Sequence, residues 1–441
     1  MTLNLPRLIA YGLPAISLAA LTLPLYVVVP TFYAESLKLP VEAIGLTLLF
    51  VRLFDAVNDP LIGWLSDRWR PAWGRRKVWF TAFVPIALLG AWNLFWPPAD
   101  AGLWHLGVWS LVLSLGYTGA ILPYTAWGAE LDTSYEGRSR VAAVREGLIL
   151  VGTLVAIAVP FTLGWSDPAA FHGLALLAVG IALTLPVFVT ITLFFVPEPR
   201  ERSRTRVNLS DGLGHMIRNA PFVRLVSAFL LNGLGNAIAA TLFLLYVSER
   251  LGLGDQRGAF LFVYFLAGVI GVPFWNWLAK RTSKHRAWCI AMIFAIVVFS
   301  PAPFLPEGSI YGFGAICVLS GLALGADLTL PPAIQADVID VDTARSGEQR
   351  SGTYFAAWSL TTKLALALAV GIAFPVLGVF GFDPAQDAQS TAIGITLLGF
   401  FYGWGPIALK IPAVAMMWNF PLTREDVDRL SDEIDAAQRA V

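Results

Sequence analysis

The sequence predicts an all-α membrane protein of twelve transmembrane helices, and three observations predict it. Of 441 residues, 57% are hydrophobic and only 14% are charged, against about 25% charged in a soluble domain. Apolar segments long enough to cross a bilayer recur about twelve times along the chain. The loops between them alternate between rich and poor in Lys and Arg. Sixteen tryptophans suit interfacial belts at the two membrane surfaces. The formal net charge is zero, which argues against a nucleic-acid partner. The partners expected are the lipid bilayer and a small molecule.

The candidate spans lie near 8–32, 41–66, 78–97, 104–128, 142–164, 170–196, 219–247, 258–279, 287–305, 309–335, 352–380 and 391–419. The third and ninth are short, and Pro406, Lys410 and Pro412 interrupt the last. A few polar residues precede the first span without a small-residue cleavage site, so it reads as a retained helix and not a signal peptide. Basic loops follow the second, fourth, sixth and eighth spans: Arg68, Arg70, Arg75, Arg76 and Lys77; then Arg138 and Arg140; then five arginines within 197–218; then Lys280, Arg281, Lys284 and Arg286. The alternate loops carry few cations. The positive-inside rule then puts both termini and the basic loops in the cytoplasm; the expected setting is the plasma (inner) membrane, multi-pass, with the protein as a monomer.

The second span carries the chemistry. Asp55 and Asp59 are four residues apart, so a helix stacks them on one face. A carboxylate at the centre of a bilayer costs about 2.5–3.5 kcal/mol on insertion scales. Two adjacent carboxylates need a counter-charge: Arg52 one turn earlier, a proton, or a bound cation. A structural ion pair with Arg52 is the plainer alternative, but one arginine neutralises only one of the two. Asn58 sits beside Asp59.

Trp64-Leu65-Ser66-Asp67-Arg68 closes span two before a basic turn, and Trp277-Leu278-Ala279-Lys280-Arg281 closes span eight in the same way. This faint repeat divides the chain into a six-helix half (1–196), a polar linker (197–218), a second half (219–419) and a charged, helix-prone cytoplasmic tail (420–441). Paired halves with a midplane site between them are a transporter design.

Gly63-Trp64-Leu65-Ser66-Asp67-Arg68 followed by Gly74-Arg75-Arg76-Lys77 resembles the loop-2/3 signature of the major facilitator superfamily. The longer run RLFDAVNDPLIGWLSDRWRPAWGRRKVW is similar to the glycoside–pentoside–hexuronide:cation symporters, of which the melibiose permeases are best known. Tyr11-Gly12, Tyr117-Thr118, Pro123-Tyr124, Arg145, Ala336-Asp337, Ser346-Gly347-Glu348 and Lys363 extend the likeness over nearly the whole chain. The resemblance implies a major facilitator fold and a cation site of Asp55, Asn58, Asp59 and Thr118. Their oxygens suit a hard cation such as Na⁺, and the aspartates would be its metal ligands. The two carboxylates could instead share a proton. No cofactor is implied beyond the coupling ion.

On the substrate side the resemblance implies Arg145, Lys363, Ser359 and Thr362, with Lys363 alternatively balancing the aspartates when the cation leaves. Two sugar-binding aspartates of the melibiose permeases become Ala19 and Ile121, and a stacking tryptophan becomes Thr125. A sugar is held by buried polar groups matched to its hydroxyls, so these changes argue against a melibiose-like galactoside. They leave a cationic, otherwise apolar pocket, suited to a sugar acid or an amphiphile. The vertebrate sodium-dependent lysolipid symporters resemble this family too. Arg52, Asp67, Arg68, Arg75 and Arg76 are the candidates for gating or charge balance, against the plainer reading of a membrane-surface charge cluster. Asp337, Asp340 and Asp342 with Arg345 and Arg350 are the counterparts in the second half. Asp327 and Lys410 are intramembrane charges without a motif, read as a structural pair with each other or with the backbone.

The sequence reading is a cation-coupled (Na⁺ or H⁺) secondary symporter of a sugar, glycoside or sugar acid, with an amphiphile or lysolipid carrier as the alternative. A non-transporting sensor or scaffold is a third reading. An enzyme is not expected: the four histidines (His105, His172, His215, His285) are scattered, and Cys289 and Cys317 read as packed thiols.

Overall fold

The computed structural model describes residues 4–68, 74–131, 135–161, 172–198, 219–346, 351–385 and 390–422. Within these, twelve long helices follow one another: α1 (Leu5–Glu35), α2 (Val41–Arg68), α3 (Arg75–Phe95), α4 (Leu103–Leu131), α5 (Tyr135–Ala158), α6 (Gly173–Phe195), α7 (Ala220–Leu245), α8 (Arg257–Arg281), α9 (Lys284–Phe299), α10 (Ile310–Ser346), α11 (Ser351–Val379) and α12 (Ala392–Trp418). Most of the linker and the tail lies outside the described residues.

Eleven of these helices are long and apolar enough to cross a membrane. The twelfth, α2, has 28 residues; it falls short through Glu42, Arg52, Asp55 and Asp59, the residues that made it interesting. The short third and ninth spans appear as helices of 21 and 16 residues. The last span differs from expectation. Pro406 and Pro412 lie inside one continuous helix of 27 residues, as neighbouring helices in a membrane bundle allow. Lys410 does not break it, because its charge is taken up by side chains of α7 and α10.

The helices form two six-helix halves of a major facilitator fold. Within the first, α1 packs on α5 and α6, and α3 on α4; in the second, α7 packs on α12 and α8 on α10. Tyr11 on α1 and Tyr124 on α4 lock their helices reciprocally. Each phenol donates to the other's backbone carbonyl, at 3.0 and 2.6 Å, and the rings stack with centroids 4.8 Å apart. Both cysteines are buried free thiols, as expected.

The halves meet through α2 on α11, α1 on α7 and α5 on α8. The contacts are tight at the membrane face opposite the start of α1. There Gly45 of α2 lies so close to α11 that an added Cβ would stand 2.6 Å from Phe374 Cβ and 3.0 Å from the Val370 carbonyl oxygen. Gly371 of α11 would bring a Cβ to 2.7 Å from Leu49. At the same face the Arg257 guanidinium of α8 donates to both carboxylate oxygens of Glu35, each at 2.9 Å, and to Ser248 Oγ at 3.0 Å. This face is sealed by packing and by a largely buried ion pair.

Candidate cation site and neighbouring cavity

Asp55 and Asp59 lie near the middle of α2, Thr118 near the middle of α4, and Lys363 on α11. The helices bring all four together. The Thr118 hydroxyl lies 3.2 Å from Asp55 Oδ1 and 3.0 Å from Asp59 Oδ1, so one hydrogen serves two acceptors. Lys363 Nζ lies 2.9 Å from Asp55 Oδ2 and 2.6 Å from Asp59 Oδ1. Arg52 Nη1 is 3.7 Å from Asp55 Oδ2, and its guanidinium stacks 4.0 Å from the centre of the Tyr26 ring. Arg52, Asp55 and Thr118 are buried.

The electrostatics follow from this geometry. Two carboxylates face two cations, so the cluster is charge-balanced with Lys363 in place. A low-dielectric site strengthens each pairing and penalises any unpaired charge. Arg52 is held by Tyr26 and by its own helix, whereas Lys363 reaches across from the other half. Asn58 is buried yet hydrogen-bonds to none of these groups, and its amide nitrogen has no partner among the described residues. Such an unmade hydrogen bond costs about 1–3 kcal/mol.

In this conformation both cations expected at a substrate pocket are paired with carboxylates. Lys363 is engaged by the aspartates, and Arg145 donates to the adjacent Glu146 through Nη2 at 2.6 Å and Nε at 3.2 Å. The two positions are adjacent on the helix, and they pair because the arginine side chain is long enough to fold back along it. Of the other candidates, Ala19 is buried on α1, Ile121 packs against the core, and Thr125 is half-buried on α4. Ser359 is half-buried one turn from Lys363. Thr362 donates to its own helix at Trp358 O, 3.1 Å away.

Among the gating candidates, the side chains of Asp67, Arg68 and Arg75 lie outside the described residues, as do those of Asp340, Asp342, Arg345 and Arg350. The Arg76 backbone N–H donates to Glu198 at the start of the linker, at 2.6 Å. Asp337 pairs with Lys284 at 2.6 Å within the second.

A second polar cluster lies in the second half. Asp327 of α10 accepts from Trp288 Nε1 (2.6 Å), Asn232 Nδ2 (3.0 Å) and Asn236 Nδ2 (2.8 Å). Lys410 Nζ donates to the carboxamide oxygens of the same two asparagines, at 2.5 and 2.7 Å. The structural pairing of Asp327 with Lys410 is therefore present, bridged by two amides. Sequence reasoning missed Asn232 and Asn236, although their four-residue spacing inside an apolar span is the signal that singled out Asp55 and Asp59. It also missed Trp288 and Tyr26, which no local pattern marks. Asp327, Asn236 and Lys410 line a cavity of about 240 Å³ that extends between α7, α8, α10 and α12, with Thr362 at its edge.

This chain is similar to several characterised transporters. The human sodium-dependent lysophosphatidylcholine symporter 1 is 24% identical over 420 residues, covering 86% of this chain and 76% of the relative. The inner membrane symporter YicJ of Escherichia coli (strain K12) is 23% identical over 424 residues, covering 92% of this chain and 90% of the relative. The crystal structure of a D-xylose–proton symporter superposes with a TM-score of 0.65 at 13% identity, over 94% of this chain and 96% of the other. The pattern of the MFS/sugar transport protein family matches residues 9–424, and with so much of its length matched the chain belongs to that family.

Proposed function

We propose that this protein is a cation-coupled symporter of an amphiphile, working by alternating access, with Asp55, Asp59 and Thr118 as the cation site. One observation carries the reading: the Lys363 ammonium sits within hydrogen-bonding distance of both carboxylates. It is a tethered cation where the transported one would bind. The cluster is charge-balanced with Lys363 present, so a monovalent cation enters by replacing it and not by joining it. The oxygens of Asp55, Asp59 and Thr118 suit Na⁺, and a proton would release Lys363 in the same way.

Release of Lys363 supplies the coupling. The freed ammonium becomes the cationic group available to an anionic headgroup, beside Ser359 and Thr362. Cation and substrate then each raise the other's affinity. Asn58 belongs to this switch as the residue whose buried amide gains a partner in the loaded state. The Glu35–Arg257 pair and the α2–α11 packing close the extracytoplasmic face, with both termini in the cytoplasm and the chain in the inner membrane.

Three observations support an amphiphile. The counterparts of the sugar-binding carboxylates are Ala19 and Ile121. The cavity beside the site is lined mainly by aromatic and aliphatic side chains. A relative similar over 86% of this chain is named as a lysophosphatidylcholine symporter. The sugar reading is retained as the second, because the family pattern is described as sugar transport and the resemblance to the melibiose permeases runs the length of α2.

Cells expressing the chain should accumulate a fluorescent lysophosphatidylcholine in Na⁺ buffer several-fold above choline buffer, and Asp59→Cys should abolish the difference. Competition by melibiose or glucuronate, with none by unlabelled lysolipid, would transfer the proposal to the sugar reading. Na⁺-independent uptake in both proteins would end the sodium-symport reading.

A further inference from the structure

The cluster around Asp327 and Lys410 has an arrangement that a purely structural ion pair does not require. The two asparagines each donate to the carboxylate and accept from the ammonium. This orientation suits an ionised Asp327 and a protonated Lys410, with zero net charge. Asp327 Oδ1 accepts two hydrogen bonds, whereas Oδ2 accepts one. Lys410 has three hydrogens and uses two. Asp327 Oδ2 lies 4.0 Å from its Nζ, beyond hydrogen-bonding distance. Lys410 is 5% exposed, and it lines the cavity together with Asp327. One spare donor and one spare acceptor therefore stand side by side on a buried cavity wall.

We propose that Lys410 and Asp327 are the polar end of a ligand subsite within the second half, one that takes a neutral hydroxyl carried on a hydrocarbon body. A hydroxyl accepts from the free ammonium hydrogen and donates to Asp327 Oδ2, and the 4.0 Å gap admits one oxygen bonded to both. An anion would meet the Asp327 carboxylate and a cation would meet Lys410, and either would bring an uncompensated charge into a buried, balanced cluster. The rest of the cavity selects the body. Phe229, Phe243, Tyr264, Phe265, Phe299 and Tyr402 surround it, and a polyhydroxylated sugar would leave hydroxyls without partners there.

The subsite deepens the amphiphile reading, and rests on it only for the claim that the ligand is transported. Binding is therefore tested apart from transport. The full chain in lipid nanodiscs is titrated with decan-1-ol, 1-methoxynonane, decylamine and decanoate while its melting temperature is followed. Decan-1-ol is expected to give a saturable rise. The ether, which only accepts, should bind about tenfold more weakly, the scale of one lost hydrogen bond to a charged group. In Na⁺-free buffer, where Lys363 stays on the aspartates, the two charged probes should give no saturable rise. Ala240→Phe fills the cavity one turn from Asn236 without touching the polar cluster, and should abolish the decan-1-ol response. Ser320→Leu does the same from α10 should the first variant fail to fold. Equal responses to all four probes, a response that survives filling of the cavity, or no response to decan-1-ol overturns the proposal. A Na⁺ titration of the wild type, run beside the alcohol titration, separates the two readings. A decan-1-ol response with no Na⁺ response removes the symport reading and leaves the subsite. A Na⁺ response with no alcohol response removes the subsite and leaves symport.

Discussion

Lys363→Met is expected to destabilise the protein sharply in Na⁺-free buffer and to make it respond more strongly to Na⁺ than the wild type. Removing one member of a buried ion pair costs about 3–5 kcal/mol, because the partner charge is left uncompensated. Here the loss leaves Arg52 facing two carboxylates. Lys363 is mostly buried, with 15% of its side chain exposed, so solvent relieves little of this. On the proposed mechanism, Na⁺ binds the wild type only by displacing the ammonium from Asp55 and Asp59. In the variant the place is free and the local charge is negative, so Na⁺ recovers much of the lost stability and binds with higher apparent affinity. Substrate coupling should disappear at the same time, since no ammonium is released. Thermal unfolding in NaCl and in choline chloride at equal ionic strength separates these effects. A variant as stable as the wild type without Na⁺, or with an unchanged Na⁺ response, would show that Lys363 is not the occupant that the cation replaces.

Gly45→Val should shift the protein away from the conformation described here. The new Cβ would meet Phe374 Cβ, Pro375 Cδ and the Val370 carbonyl at 2.6, 2.9 and 3.0 Å. These atoms belong to the α11 backbone or lie next to it, so no side-chain rotation relieves the clash. Overpacking of this kind costs about 1–3 kcal/mol, and it is felt only while α2 and α11 are in contact at this face. A state in which the face is open escapes the penalty, so the population ratio moves by roughly tenfold to a hundredfold toward it. Spin labels on the α1–α2 and α7–α8 connections report the change as a longer, broader distance. Gly371→Leu, on the opposing helix, should act in the same direction. A distance distribution equal to that of the wild type in both variants would mean that the α2–α11 contact does not set the conformation.

The fold was legible because the bilayer writes it into composition. Each span needs an apolar run of fixed length, and the loop charges alternate with it. Only α12 was misjudged, since Pro and Lys inside a span look like a break until the packing partners of Lys410 are known. The aspartate pair was legible from helical spacing alone. Thr118 and Lys363 were reached through family resemblance, because each lies on a helix far from α2 in sequence and nothing in its neighbours points there. The state of the charged residues was not legible. Lys363 was assigned to a cationic pocket or to balancing the aspartates, and it pairs with both aspartates across the half-to-half interface; Arg145 was assigned to the pocket, yet is paired by its own neighbour. Which cation meets which carboxylate is decided by helix packing, which the one-dimensional pattern does not carry. Asn232 and Asn236 were missed for a different reason: neutral amides carry no insertion penalty large enough to attract notice.

The most direct test is a Na⁺ titration of the melting temperature of the purified protein, with choline chloride holding the ionic strength constant, for the wild type and for Asp59→Asn. A ligand that binds only the folded state stabilises it by RT ln(1 + [L]/Kd). A cation site at Asp55, Asp59 and Thr118 predicts a saturable, Na⁺-specific rise in the wild type that is absent from Asp59→Asn. A rise of the same size in both proteins would place Na⁺ elsewhere, and no rise in either would contradict a sodium site at this cluster.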